Sequence, residues 1–249
     1  LLILLTTHYG SCAKILGVFT SPGRSHYSLG RTLMKALAEK GHDVTLISSV
    51  GEKEPPKTKG TYRDIVITAV AENMKGRYTQ TASFNRNIQL TTIVEMAKRG
   101  EMSMFDHGDM NPFTANAFLI RMLPIMMEPS LRDKEIQKLI HSNEKFDVVI
   151  VEQFMNDAEK ALASHFGAPL IVLSSMGANY WVNTLVGNPS PISYIPMMST
   201  EYSIPMTFLQ RVENSLLFVM TEVLFKWFVY PGQNARIKKY IPNGPDIND

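Results

Sequence analysis

The stretch Ile15-Leu16-Gly17-Val18-Phe19-Thr20-Ser21-Pro22-Gly23-Arg24-Ser25-His26 constrains the fold more than any other part of this chain. A short apolar run closed by turn residues is how a strand buried on both faces reads in sequence, and it places a strand at 14–20. Beyond the Pro-Gly turn, Leu29, Leu33, Ala36 and Leu37 recur at helical spacing over 28–40, and Gly41 stops the run. A second strand is expected at 42–48 and a third at 64–70, after a lysine-rich turn that holds Pro55 and Pro56. This is a right-handed βαβ opening, and such units build doubly wound sheets.

The alternation breaks off and then resumes. Residues 71–145 read as an insertion, with helices expected at 88–99 and 116–141, the second interrupted by Pro124 and Pro129. Between them, 100–112 is rich in turn residues and methionine, which suits a lid or a wall of a binding cleft. Phe146-Asp147-Val148-Val149-Ile150-Val151 then predicts a buried strand, with Glu152 directly after it. A helix is expected over 156–166, closed by Gly167, and a further strand over 170–174. The segment 174–205 reads as loop, with the aromatic pair Tyr180-Trp181, and 206–230 reads as a final helix.

Composition removes several classes of function. At 249 residues, 45% hydrophobic and 19% charged, the chain has an ordinary globular core for one large α/β domain or two small ones. A net charge of +2, with no basic cluster longer than Arg236-Ile237-Lys238-Lys239, argues against a nucleic-acid surface. The single cysteine, Cys12, excludes an internal disulfide and a Cys-based zinc site. Residues 1–13 pair an apolar block with small residues, as the remnant of a secretory signal peptide does, with cleavage expected after Ala13. Residues 14–249 then form one domain directed to the secretory pathway.

In an open α/β sheet, ligands sit in the crevice beyond the carboxyl ends of the strands. His26 follows the first strand into that crevice, and an imidazole that titrates near neutrality can take a proton from a hydroxyl. The resulting cation is stabilised by a nearby carboxylate, which also fixes the tautomer. Glu152 is the candidate, because it ends a strand parallel to the one before His26. Asp147 starts that strand and lies at the opposite edge of the sheet, while Asp157 is a weaker alternative on the following helix. The first turn is no Gly-x-Gly-x-x-Gly, so a dinucleotide site is disfavoured. Neither a Gly-x-Ser-x-Gly elbow nor a His-Glu-x-x-His helix occurs, which counts against a hydrolase and a metalloenzyme.

Six segments carry a resemblance. Ala13-Lys14-Ile15-Leu16-Gly17, Pro22-Gly23-Arg24-Ser25-His26, Gly41-His42-Asp43-Val44-Thr45, Phe146-Asp147-Val148-Val149, Phe166-Gly167-Ala168-Pro169 and Met206-Thr207-Phe208-Leu209-Gln210-Arg211-Val212-Glu213-Asn214 resemble, in order, the amino half of membrane-bound UDP-glycosyltransferases, most of all the insect branch. The resemblance implies the amino-terminal Rossmann-like domain of a GT-B enzyme, α/β with a mostly parallel sheet and helices on both faces. It implies that His26 is the general base and that Glu152 stands where the family typically has an aspartate. The chain would then bind a small lipophilic acceptor, with Met102, Met104, Phe105, Asn179, Tyr180 and Trp181 as candidate wall residues. UDP-sugar is implied as co-substrate, with no resident cofactor or metal. The family's donor-binding signature belongs to the carboxyl half and has no counterpart here, so this chain is expected to need that half for transfer. The implied setting is the endoplasmic reticulum lumen, membrane-associated.

The apolar stretch 216–230 contains Glu222 and Lys226 and is too short and polar to span a bilayer. It offers either a surface that lies on lipid, with Trp227 and Tyr230 at the interface, or one that packs against the other half. The alternative use of such a half-molecule is a non-catalytic partner that holds hydrophobic ligands or joins full-length relatives in a homo- or hetero-oligomer.

Overall fold

The computed structural model describes residues 12–21, 23–52, 54–67, 113, 130–154 and 156–247. The signal-like run at 1–11, the helix expected at 88–99, the segment 100–112 with Met102, Met104 and Phe105, and all of 116–129 lie outside those residues. Strand β1 (Lys14–Phe19) leads into helix α1 (Arg24–Glu39), and β2 (Asp43–Ser48) and β3 (Tyr62–Val66) follow. Helix α2 (Lys134–Ile140) precedes β4 (Val148–Glu152), and α3 (Ala161–Phe166) precedes β5 (Leu170–Leu173). Three further helices close the chain: α4 (Tyr180–Leu185), α5 (Phe208–Leu224) and α6 (Tyr230–Tyr240).

The five strands form one sheet in the order β3-β2-β1-β4-β5, and every pairing is parallel. The chain winds outward from β1 through β2 to β3, then returns to β4 on the other side of β1. That reversal makes the β1/β4 junction the topological switch point, where a crevice opens beyond the strand ends.

Side-chain parity divides the core in two. Leu16 and Val18 of β1, with Val149 and Val151 of β4, pack on one face against Ile136, Leu139 and Ile140 of α2, Leu162 of α3 and Ile237 of α6. Ile15 and Phe19, with Val148 and Ile150, pack on the other face against Tyr27, Met34 and Ala38 of α1. Glu152 shares the parity of Val148 and Ile150, so the last residue of β4 turns toward α1. Close approach of α1 to β1 depends on two glycines. A Cβ on Gly17 would sit 2.6 Å from Met34 Cε, and one on Gly30 would sit 2.3 Å from the Phe19 ring.

Several boundaries differ from the expected ones. Helix α1 begins at Arg24 rather than at 28, so His26 lies in its first turn instead of in the loop before it. The polar residues Arg24, Ser25 and Ser28 obscure that turn in the sequence, yet Tyr27 N already donates to Gly23 O at 3.1 Å. β3 starts two residues early, at Tyr62. The helix expected over 116–141 is cut at Asp133, whose side chain caps α2 by accepting from Glu135 N at 2.8 Å. Expected as one helix, 156–166 divides into a 3-10 turn over Asp157–Lys160 and α3, which Gly167 ends in the left-handed region (φ 62°).

The segment 174–205 is not loop throughout. Asn179 accepts from Val182 N at 3.2 Å and so starts α4. The last helix runs further than expected. Thr207 and Gln210 form a capping box for α5, a π-helical turn follows over Phe225–Val229, and α6 continues to Tyr240. Pro231 suggests a stop, but it occupies the first turn of α6, where a missing N–H costs little, and the wide turn before it accommodates the ring. On α5, Leu209, Val212, Leu216, Val219 and Val223 are exposed at three- and four-residue spacing, and Trp227 extends the stripe. Among the described residues no helix is long and apolar enough to cross a membrane.

Candidate active site

The carboxyl ends of β1 and β4 bring His26 and Glu152 together across 126 residues of sequence. His26 Nδ1 lies 2.5 Å from Glu152 Oε1. A carboxylate oxygen can only accept, so Nδ1 carries the hydrogen, and in the neutral ring Nε2 is then the nitrogen free to accept a proton. Nε2 makes no hydrogen bond among the described residues. Ser175 Oγ stands 3.1 Å from Nδ1, and the Phe154 ring packs on the imidazole with centroids 4.4 Å apart. The His26 side chain is 15% exposed and that of Glu152 is 1% exposed. The base is reachable while its counter-charge is sealed beneath it.

A second carboxyl lies behind the first. Glu159, on the 3-10 turn after β4, accepts from Thr20 Oγ1 at 2.7 Å and from Asn156 Nδ2 at 2.7 Å. Its pKa is raised, chiefly because burial penalises the charged form, and neighbouring Glu152 pushes the same way. Thr20 directly follows β1, so this cluster ties the ends of β1 and β4 together from within. Asp157, weighed in the sequence as an alternative partner for His26, is not one. It takes Lys160 Nζ at 2.7 Å and Gln153 Nε2 at 3.1 Å. Asp147 accepts from Lys14 N at 2.7 Å, at the far edge of the sheet.

A cavity of about 180 Å³ lies between the end of β4, α4 and the α5–α6 junction, and neither His26 nor Glu152 lines it. Phe154, whose ring meets the His26 imidazole at a tilt of 55°, forms part of the cavity wall and is the link between the two. Asn179, Tyr180 and Trp181 all line it, although the Asn179 carbonyl oxygen is committed to capping α4. Sequence reasoning missed Gln153, Met176, Met198, Glu222, Phe225 and Tyr230, which also line it. The last two lie within the helix expected over 206–230, whose sequence does not say which of its apolar residues meet a cavity. Among the described residues no three of His, Cys, Asp and Glu gather as a metal site.

Comparison with known proteins agrees with this architecture. The family described as UDP-glucoronosyl and UDP-glucosyl transferase matches residues 14–239. The chain belongs to that family. It is 29% identical to UDP-glucosyltransferase 2 of Dactylopius coccus, an alignment covering 99% of this chain and 43% of that protein. It is 27% identical to UDP-glucuronosyltransferase 3A1 of Bos taurus over 94% of this chain and 41% of that protein. A mouse 2-hydroxyacylsphingosine 1-beta-galactosyltransferase matches at 24% identity, over 92% of this chain and 37% of that protein. The chain therefore spans less than half the length of these curated relatives. Its matched region contains the β1/β4 switch point, His26 and Glu152.

Proposed function

We propose that this chain is the acceptor-binding, base-supplying part of an inverting UDP-glycosyltransferase. Nε2 of His26 takes the proton from a hydroxyl of a small lipophilic acceptor seated in the adjoining cavity. As that oxygen forms its bond to the anomeric carbon of a UDP-bound hexose, the bond from that carbon to the UDP oxygen breaks. UDP departs with the electron pair, and attack from the opposite face inverts the configuration. Glu152 holds Nδ1–H and offsets the imidazolium that forms. The observation that carries the reading is the short contact between His26 Nδ1 and Glu152 Oε1 at the switch point, with Nε2 left bare.

A positioned general base contributes about 10²–10⁴ in rate, which is the part of the acceleration this chain would supply. The donor grip would come from a further domain, as the coverage of the relatives suggests. A luminal, membrane-associated setting goes with the same reading and is supported by the apolar run at residues 1–5 followed by small residues. The test is transfer from UDP-glucose to a simple phenol, by the chain alone and with the carboxyl-terminal half of a relative supplied. Product of inverted configuration, formed only by the combination, is expected. Acceptor binding by the chain with no transfer under either condition would instead make it a non-catalytic partner.

A further inference from the structure

The cavity walled by Phe154 is more selective than a lipophilic acceptor requires. Its walls are largely aromatic, from Phe154, Tyr180, Trp181, Phe225 and Tyr230, and three of its buried polar atoms have no partner: Gln153 Oε1, the Tyr180 hydroxyl and Trp181 Nε1. Gln153 is 8% exposed, and its Oε1 has no partner. Its Nε2 is already given to Asp157 at 3.1 Å, so the amide oxygen is the end left for a ligand. A buried acceptor without a donor costs about 1–3 kcal/mol, and a ligand N–H would relieve it.

Charge points the same way. Lys160 neutralises Asp157 at 2.7 Å. Glu222 lies at the rim and forms no ion pair among the described residues, Lys226 one turn on included. The cavity is left with one uncompensated negative charge. Tyr230 senses it: burial first, then Asp157 and Glu222, push its phenol up to about 12. Tyr180 is raised as well, by burial and then by Glu222. Both phenols therefore stay neutral, and aromatic faces next to a carboxylate favour an organic cation.

We propose that this cavity selects acceptors that carry a protonated amine in addition to the hydroxyl that reacts, the ammonium lying between Glu222, Gln153 Oε1 and the Trp181 and Phe225 rings. The inference rests on the acceptor reading above and narrows its substrate class. It is tested by calorimetry on this chain with three phenols of similar shape: tyramine (cationic), para-propylphenol (neutral) and para-hydroxyphenylpropionate (anionic). In a Trp227→Phe background Trp181 is the sole indole, so its fluorescence reports whether the ligand occupies the cavity. Tyramine is expected to bind about fivefold more tightly than the neutral phenol, with the anion weakest. In Glu222→Gln, and to a smaller degree in Asp157→Asn, the ratio of tyramine to neutral affinity should fall toward one. Equal affinities, a preference for the anion, or a ratio that Glu222→Gln leaves unchanged would overturn the charge selection and leave the acceptor reading standing. Silence of Trp181 toward all three would overturn both.

Discussion

Glu144 precedes β4 and Glu152 closes it, and the two carboxylates live in opposite circumstances. Glu144 accepts from Lys14 Nζ at 2.7 Å and from both Arg63 terminal nitrogens at 2.8 and 3.0 Å, in a partly open position. Nearby, Asp147 takes a backbone N–H of β1. Lys14, Arg63, Glu144 and Asp147 are thus all paired at that amino edge. At the carboxyl edge Glu152 and Glu159 are sealed, and each keeps one oxygen without a partner. The contrast teaches where stability and chemistry reside in one sheet. The amino edge pairs its charges at the surface, whereas the carboxyl edge buries two carboxyl groups with an oxygen each left unpartnered, the kind of arrangement found more often at functional sites.

The sharpest way to break that comparison is His26→Ala in the full-length protein that carries this chain. Turnover should fall by about 10²–10⁴ with acceptor affinity largely kept, because the imidazole makes and breaks a bond to hydrogen only in the chemical step. Steady-state kinetics together with direct acceptor binding separate the two quantities. Glu152→Gln is expected to cost about 10–10² in turnover, since the amide can still accept from Nδ1–H but no longer offsets the imidazolium. A loss equal to that of His26→Ala would make charge, not orientation, the main role of Glu152.

Much of this contrast was legible in the sequence. β1 and β4 read as buried runs with turn or charged residues at their ends, and their parallel placement put His26 and Glu152 at one edge. Their direct contact follows from parity, since Val148, Ile150 and Glu152 share the face that packs on α1. Glu159 and Ser175 were not legible as neighbours of the site. Their positions depend on how a 3-10 turn and the segment after β5 fold back, which no local periodicity encodes. The cavity was half legible: Asn179, Tyr180 and Trp181 stood out as an aromatic segment. Phe225 and Tyr230 were hidden because, within a helix apolar on most of its surface, periodicity does not tell which residues meet a cavity.

Smaller effects sharpen the same comparison. Glu159 has its folded pKa raised by burial, so its contribution to stability is fully present below the ordinary carboxylate range and is lost as pH rises through the raised value. Glu159→Gln should therefore match the parent chain in mild acid and exceed it in alkali, by on the order of 1 kcal/mol in urea unfolding. Glu144 is the mirror case. Hydrogen bonds from Arg63 lead the causes that lower it from 4.5 to about 2. Its contribution is present above the ordinary range and lost as pH falls from 4.5 toward about 2. Glu144→Gln should cost up to about 1 kcal/mol at neutral pH, because the ion pairs are partly open to solvent, and nothing in strong acid. A large cost at the amino edge, or an alkaline penalty for Glu159→Gln, would reverse the assignment of the two edges.

The proposed proton transfer requires a neutral His26 ring with its hydrogen on Nδ1 and Nε2 free. Nitrogen NMR of the chain labelled at histidine, with His26→Gln to assign the resonances, reads that tautomer directly and needs no donor domain. The account predicts a neutral ring with its hydrogen on Nδ1 and an Nε2 signal that shifts when a phenol is added. A hydrogen on Nε2, or an Nε2 signal indifferent to every phenol that quenches Trp181, would contradict it.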